Sequence, residues 1–312
     1  MKTRPKALYG YNLFGDPVKP SAGIVAEKFI VPPFSILDGT SAFWVKRRRM
    51  WDSMGFNSIL GRPINMLKFS PASLDACGGK LPGEFDPVLC ELAYRWFCPA
   101  KGLILDPFSG GSVRGIVAAF CGYHYVGMDL REEQVAENRK QAAQLSLTPS
   151  WITGDSRTFA KRVNTEGDFI FSSPPYFNRE HHCDLPEDLN NSDTYEQFLV
   201  AYRTIIQQVS SRLRNNRFAC FEVAETRDKD GRAISLVSDT IDAFRRAGLD
   251  FYNHAIHKKS IGSASIRTNM FGASRKLVPV HEHVLVFVKG DPKVATKLIG
   301  NEGLPKYILG EE

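Results

Sequence analysis

The 312-residue sequence lacks several features that would assign it to a familiar class of protein. Its longest apolar runs, such as HVLVFV from residue 283, are too short to span a bilayer. The first residues, MKTRPKALYGYNLFG, contain no apolar core of a secretory signal. The six cysteines form no Cys-x-x-Cys pair, which argues against a disulfide framework and favours reduced thiols. We therefore expect a cytoplasmic protein with no membrane partner.

Two common nucleotide-binding motifs are also missing. The glycine-rich stretch DPFSGGSVRG, residues 106–115, has neither the Gly-x-Gly-x-x-Gly spacing of a dinucleotide site nor the Lys-Ser/Thr of a P-loop. The chain does have 43% hydrophobic residues, enough for a core, and a net charge of +6. This modest basic excess permits a polyanionic partner without requiring one.

From about residue 84 the sequence alternates between predicted strands and helices. Such alternation predicts an α/β fold, namely a doubly wound Rossmann-like sheet with ligands at the carboxyl ends of its strands. No helix separates the last two strands, DFYNHAIHK and EHVLVFVKG, so one C-terminal strand should be antiparallel. We predict an N-terminal extension over 1–65 with one helix near 41–54, the sheet domain over 66–292, and a C-terminal tail over 293–312.

Polar or glycine-rich residues follow four consecutive predicted strands. The first strand leads into the stretch from Asp106, whose small residues would let a ligand approach the backbone. Asp129 ends the second strand, where a carboxylate can accept hydrogen bonds from ribose hydroxyls or cap the following helix. Asp155 follows the third strand, and Ser173-Pro174-Pro175-Tyr176 follows the fourth. Together these strand ends predict one continuous cleft.

In this order, DPF-x-G, an acidic second strand end, Gly-Asp and SPPY resemble the S-adenosylmethionine-dependent DNA amino-methyltransferases. The resemblance covers about residues 68–290. It implies S-adenosylmethionine as cofactor, and as partner DNA, either single-stranded or with a base flipped from the duplex. It assigns the ribose to Asp129, the adenine amine to Asp155, and segment 69–79 to the methionine end. The full cofactor-binding set that it implies is Asp106, Pro107, Phe108, Ser109, Gly110, Gly111, Ser112, Asp129, Leu130, Asp155 and Ser156.

The same resemblance gives the corner after the fourth strand its chemistry. Ser173 Oγ and the Pro174 carbonyl would accept hydrogen bonds from an exocyclic amine, Tyr176 would stack on the base, and Pro175 would help to fix the geometry. Serine at the first position favours cytosine N4, with adenine N6 as the alternative. An RNA base methyltransferase and a non-catalytic DNA-binding module remain open. Ser112 supports the last of these, because the family usually has glycine there.

Two basic groups are candidates for contact with nucleic acid. The first is the run Lys46–Arg49, between Trp44 and Trp51, where cations could follow phosphates and rings could stack on bases. The alternative is a helix whose basic face is simply solvated. The second lies around the loop between the last two strands. The candidate residues are Arg47, Arg48, Lys258, Lys259, Arg267, Arg275 and Lys276.

We predict no metal site. His181, His182 and Cys183 are adjacent and do not converge on one ion, and His281 and His283 share a strand face without an evident third ligand.

Overall fold

The computed structural model describes residues 29–57, 60, 85–177, 183–228, 230–261 and 264–300. Contacts divide the chain into two compact units, one of residues 35–299 and one of residues 1–34 with 300–312. The larger unit therefore begins well before residue 66, the start of the sheet domain that was predicted from the sequence. The assignment of functions to these segments stays a prediction.

An eight-stranded sheet forms the centre of the larger unit. In chain order the strands of the structure are β1 (Ile36–Asp38), β2 (Leu103–Asp106), β3 (His124–Asp129), β4 (Ser150–Thr153), β5 (Gly167–Ser172), β6 (Leu213–Val223), β7 (Thr226–Arg227), β8 (Ala233–Ile234), β9 (Asp250–Lys258) and β10 (His281–Lys289). The order across the sheet is β1-β9-β10-β6-β5-β2-β3-β4, and β7 pairs with β8 in a separate hairpin.

The sheet is parallel except at β10, which runs antiparallel to both β6 and β9. The predicted fold class, a doubly wound and mostly parallel sheet with one antiparallel C-terminal strand, is confirmed. The strand order reverses between β2 and β5, so the sheet has its topological switch point there. Ligands of open α/β sheets bind outside the carboxyl ends of the strands at such a point.

Ten helices of the described residues pack on the sheet or lie in its connections. They are α1 (Ala42–Asp52), α2 (Pro87–Phe97), α3 (Val113–Phe120), α4 (Glu132–Gln144), α5 (Phe159–Arg162), α6 (Tyr195–Ser211), α7 (Leu236–Arg246), α8 (Ala264–Arg267), α9 (Met270–Ser274) and α10 (Pro292–Ile299). Local signals start several of them. Asp86 caps α2, because its side chain accepts a hydrogen bond from Val88 N, and Pro87 occupies the first helical position. Thr194 caps α6 in the same way, by accepting from Gln197 N.

Alternation along the central strands sends side chains to two cores. Phe169 and Phe171 face α2, where the ring of Tyr94 meets both edge-on. Ile170 faces the other way, into the apolar cluster built by α6 and α7. This two-sided burial explains why the β5 sequence is an apolar run without polar alternation.

Some elements were not predicted from the sequence. β1 joins the sheet through pairing with β9, and α10 lies within the segment predicted as a tail. The loop between β9 and β10 contains the short helices α8 and α9. Helix α1 is confirmed within the predicted range. No helix in the described ranges has the length and apolar character needed to cross a membrane.

Candidate active site

The four polar strand ends lie side by side along one edge of the sheet. Parallel pairing places Asp106 opposite Gly127 and Asp129 opposite Thr153. On the other side of β2, Leu105 pairs with Ile170, so the corner after β5 lies next to the glycine-rich turn. Because neighbouring strands are about 4.8 Å apart, these ends lie next to one another along one edge of the sheet, which we call the cleft rim after the predicted cleft. The sequence grouped these strand ends correctly.

Asp106 is the structural anchor of this rim. It is fully buried, and its Oδ2 accepts hydrogen bonds from Arg114 Nε and the Tyr125 hydroxyl, each at 2.6 Å. Its Oδ1 accepts from Ser172 Oγ at 2.5 Å and from Phe108 N at 3.1 Å. Burial and the nearby Asp106 raise the pKa of Tyr125, so that hydroxyl stays protonated as a donor. With four donors on its carboxylate, Asp106 orders the turn.

The glycine-rich turn is connected to the next strand through its backbone. Gly110 has a φ of +49°, a left-handed conformation that favours glycine, and a Cβ added there would meet no atom within 4 Å. Its N–H donates to Asp129 Oδ2 at 3.0 Å, and its carbonyl accepts from Asn138 Nδ2 at 2.7 Å. The turn therefore presents an open face at Gly110 while its backbone stays fixed.

Ser112 begins α3 next to the buried Gly111. Its side chain is fully buried, and its hydroxyl donates to Gln141 Oε1 at 3.1 Å. The extra side chain, relative to the glycine of the family pattern, is thus taken up in a contact with α4. Ser109 differs, because its buried hydroxyl has no hydrogen-bond partner among the described residues.

The acidic residues after β3 and β4 keep partly exposed carboxylates. Asp129 Oδ1 accepts from the N–H of Arg131, the residue that precedes α4, and Asp129 ends β3 beside the partly buried Leu130. Asp155 accepts from Arg157 N and pairs with its side chain at 2.8 Å. Ser156 Oγ donates to the Pro107 carbonyl at 2.6 Å, which joins the rim of β4 to that of β2.

The corner after β5 is half-buried. Pro174 is buried, while Ser173, Pro175 and Tyr176 are partly exposed, and Tyr176 packs against the cluster of α6 and α7. Thr226 Oγ1 lies 3.5 Å from the carbonyl of Phe177, so the chain after β6 runs beside the corner. The structure thus brings the predicted catalytic residues to the switch point.

Glu225, next to Thr226 and so near this corner, is not marked as a functional residue by its local sequence. Its carboxylate accepts hydrogen bonds from the backbone of Leu236 and Val237 at the start of α7, and burial raises its pKa. The second oxygen, Oε2, is buried and has no partner within the described residues. The only sequence signal for it was an acidic residue after a buried strand, the same signal that marked Asp129.

The first basic group contradicts one part of the prediction, the stacking of its tryptophans, while contact of its cations with nucleic acid stays a prediction. Trp44 and Trp51 are each 1% exposed, so the hypothesis that their rings stack on bases is wrong. Their indole N–H groups donate to Asp86 and Glu91. Arg47 makes a two-pronged ion pair with the same Glu91. The tryptophans are buried because Asp86, before α2, and Glu91, within α2, accept their hydrogen bonds. The sequence of α1 alone does not indicate these partners.

Arg48 and the cations at the end of β9 are paired as well. Arg48 lies 3.6 Å from Asp86 Oδ2, and Lys258 Nζ donates to Asp38 at 3.1 Å. Lys259 Nζ contacts Glu222 at 2.9 Å and Glu282 at 3.0 Å. Because Lys259 already contacts two acidic side chains, its predicted role as a phosphate contact has weaker support than that of Arg267 or Arg275.

The remaining basic candidates lie in the loop before β10. Arg267 and Arg275 are exposed and Lys276 is partly exposed. The Lys276 side chain lies against Gly231, since a Cβ added to that glycine would be 2.0 Å from Nζ. The structure therefore keeps these three residues at the protein surface and turns one of them towards the chain after β6.

A third histidine joins the pair noted in the sequence. His254 Nε2 is 2.9 Å from His283 Nδ1, and the rings of His281 and His283 are 5.2 Å apart. In the ranges that the structure describes, no group of metal-ligating side chains could hold an ion. His181, His182 and the segment 69–79 lie outside the described residues.

Comparison with solved structures gives methyltransferases of low sequence identity. TrmN from Thermus thermophilus is 17% identical, with 71% of this chain and 54% of that chain covered and a TM-score of 0.46. The chain thus spans about half of that protein. An rRNA methylase from Streptococcus thermophilus is 9% identical, with 67% and 99% covered and a TM-score of 0.43. Magnesium protoporphyrin IX methyltransferase from Synechocystis, crystallised with bound SAM, is 12% identical, with 62% and 71% covered and a TM-score of 0.39.

No curated protein matches the chain in sequence. A family model does match, the N6_N4_Mtase model described as DNA methylase, and it covers residues 167–306. That range begins with β5 and includes the Ser173–Tyr176 corner, β6, and the final strands. The DNA methylase family model thus matches the part of the chain that carries this corner, which supports the resemblance drawn from the motifs.

Proposed function

We propose that the protein transfers a methyl group from S-adenosylmethionine to the exocyclic amine of a DNA base, with cytosine N4 as the target atom. One observation carries the proposal. The half-buried Ser173–Tyr176 corner lies at the switch point of the sheet, beside the glycine-rich turn and joined to it through the Ser172–Asp106 hydrogen bond. The family match includes this corner.

The residues around the turn fit an adenosyl cofactor. Open space faces Gly110, and the buried Ser109 hydroxyl has no partner among the described residues, as expected of a cradle that receives a polar ligand. Asp129 would hold the ribose hydroxyls, and Asp155 the adenine amine. When bound, S-adenosylmethionine supplies an electrophilic methyl group on a sulfonium. Asp106 takes no direct part, because its carboxylate is saturated by internal donors.

The corner would activate the base. An exocyclic amine is a weak nucleophile because its lone pair is delocalised into the ring. Ser173 Oγ and the Pro174 carbonyl would accept its two N–H groups and free that lone pair, while Tyr176 stacks on the ring. The prolines hold the acceptors in place before the base arrives, so positioning rather than a strong base supplies the catalysis.

Two alternatives are distinguished by specific residues. Asp or Asn is usual in place of Ser173 among the adenine enzymes that the chain resembles, so serine favours cytosine. The alternative of a non-catalytic DNA-binding module was supported by Ser112, which stands where the family usually has glycine. The burial of Ser112 against Gln141 weakens that argument, because the side chain has a place inside the protein. An RNA substrate remains an outcome of the test below.

Substitution of the corner tests the proposal. Ser173→Ala and Tyr176→Ala should reduce methyl transfer to DNA, with the loss of stacking alone costing about 1–3 kcal/mol. Calorimetry should show S-adenosylmethionine affinity nearly unchanged, because both residues face the base. Ser211→Ala and Tyr252→Ala, at exposed positions outside the cleft rim, are the matched controls. Full activity in both corner variants, or loss of cofactor binding in folded variants, would refute the assigned roles.

A further inference from the structure

The segment of residues 264–277, which contains α8 and α9, exposes large apolar side chains to solvent. Met270 is 53% exposed, Phe271 43% and Leu277 74%. Met270 and Phe271 are consecutive exposed residues at the start of α9, and we call these two side chains the apolar projection. An exposed apolar group next to a functional cleft is typical of a surface that another molecule covers.

One arginine contacts this projection, and a second precedes it in the sequence. The guanidinium carbon of Arg275 lies 5.4 Å from the centre of the Phe271 ring, a cation–π contact. Arg275 itself ends α9 in a left-handed conformation with φ of +55°, and its N–H donates to the Phe271 carbonyl at 2.9 Å. Arg267 is exposed nearby in the sequence. The combination of apolar side chains and arginines is complementary to a polyanion that also offers flat apolar faces, which is nucleic acid.

The segment is also held close to the candidate active site. It leaves the carboxyl end of β9 and returns to the start of β10, and Lys259 N donates to the Val280 carbonyl where the two strands meet. Because β9 is parallel to β6, this is the edge that carries the cleft. Lys276 then reaches Gly231, in the turn that follows Thr226, the residue beside Phe177 of the corner.

We propose that Met270 and Phe271 form an apolar wedge, which enters the base stack of duplex DNA beside the base that is methylated. The proposal rests on the proposed function and names how the duplex is opened. Insertion of apolar side chains between base steps unstacks and kinks DNA at a cost that bound protein contacts offset. Arg267 and Arg275 would contact the flanking phosphates. A single-stranded substrate has no stack to open, so it does not need the wedge.

The test compares two forms of one substrate. Sheared genomic DNA from a methylation-deficient host is offered as duplex and after heat denaturation, with radiolabelled S-adenosylmethionine. The Met270→Ala/Phe271→Ala double variant should methylate duplex about tenfold more slowly than wild type, and denatured DNA at the wild-type rate. Phe271→Trp, which keeps a flat apolar ring, should retain duplex activity. Leu298→Ala is the matched control, because Leu298 is 46% exposed on α10, beyond the opposite end of β10.

If wild type methylates neither form, the proposed function fails before the wedge is tested. If wild type methylates both and the double variant is unimpaired, or is impaired equally on both, the wedge is refuted while the function stands. If the double variant keeps its duplex activity but loses self-association on a sizing column, the apolar projection is an interface between copies of the chain.

Discussion

Ser172 Oγ donates a hydrogen bond of 2.5 Å to Asp106 Oδ1, across the point where the strand order of the sheet reverses. Phe108 N in turn donates to Ser172 Oγ at 3.2 Å. One hydroxyl therefore connects the turn assigned to the cofactor with the strand that leads into the corner assigned to the base. The distance between the two half-sites is thereby fixed by buried side chains.

Ser172→Ala should therefore lower stability and impair both half-sites together. The change leaves a buried carboxylate oxygen and a backbone N–H without this partner, which costs about 1–3 kcal/mol. Denaturant unfolding measures the stability, and calorimetry with S-adenosylmethionine measures the cofactor site. Ser211→Ala, at an exposed position on α6, is the control. A variant as stable as wild type would show that the Ser172–Asp106 hydrogen bond does not contribute to stability.

Asp129→Ala should weaken S-adenosylmethionine binding by about 1–3 kcal/mol, because the proposed acceptors for the ribose hydroxyls are lost. The same carboxylate orders Gly110 and Arg131, so part of the loss would come from the turn. Asp129→Asn separates the two effects, since its amide oxygen can still accept from one backbone N–H. Unchanged dissociation constants in both variants would place the ribose elsewhere.

Arg275→Ala with Lys276→Ala should weaken DNA binding fairly uniformly across sequences. It should also reduce the dependence of log K on log salt by about one to two units, roughly 0.9 for each lost phosphate contact. Arg47→Ala is the matched control. Its guanidinium pairs with Glu91, so that variant should lose stability and keep the salt dependence. If the Arg47 variant instead lowered the salt dependence and the Arg275/Lys276 double variant did not, the phosphate contacts would lie on α1.

Glu282→Gln should change how stability depends on pH. Burial and the neighbouring Glu222 raise the pKa of Glu282 to about 7, from an ordinary value of 4.5. For Glu222 itself, Lys259 and His257 outweigh burial and lower the pKa. A carboxyl whose pKa is raised on folding holds its proton more tightly in the folded state, so stability falls as pH rises from about 4.5 to 7.

The glutamine variant lacks that titration, so its stability relative to wild type should increase between pH 5 and pH 8. Urea unfolding at several pH values measures the difference. A constant difference across this range would show that Glu282 titrates alike in the folded and unfolded chain. Glu282 is partly exposed, so solvent screening will reduce the size of the effect.

The sequence was informative where local pattern and topology agree. The apolar run of β5 and the acidic ends of β3 and β4 each follow from a strand that is buried and then stops, and these ends meet because parallel strands align them. The sequence could not reveal contacts between distant segments. The local sequence predicts that Trp44 and Arg47 contact nucleic acid. The fold instead places Asp86 beside Trp44 and Glu91 beside Arg47.

The same limit applies to Glu225 and His254. Each is a single polar residue in or just after a strand, and its partner lies in a different element. Glu225 is bonded by the backbone of Leu236, and His254 by the ring of His283. Helices α8 and α9 were missed for a different reason. They have four and five residues, too short for a helical period to emerge among Gly, Ser and Asn.

Mass spectrometry of nucleosides tests the central claim most directly. DNA and RNA from a methylation-deficient host are incubated with the protein and S-adenosylmethionine carrying a labelled methyl group, then digested to nucleosides. We predict labelled N4-methylcytosine in the DNA sample, in a reduced amount when the Ser173→Ala variant replaces wild type. Labelled N6-methyladenine would correct the target base, and label found in RNA alone would correct the polymer. No labelled nucleoside in either sample, from a folded protein that binds the cofactor, would contradict the proposed function.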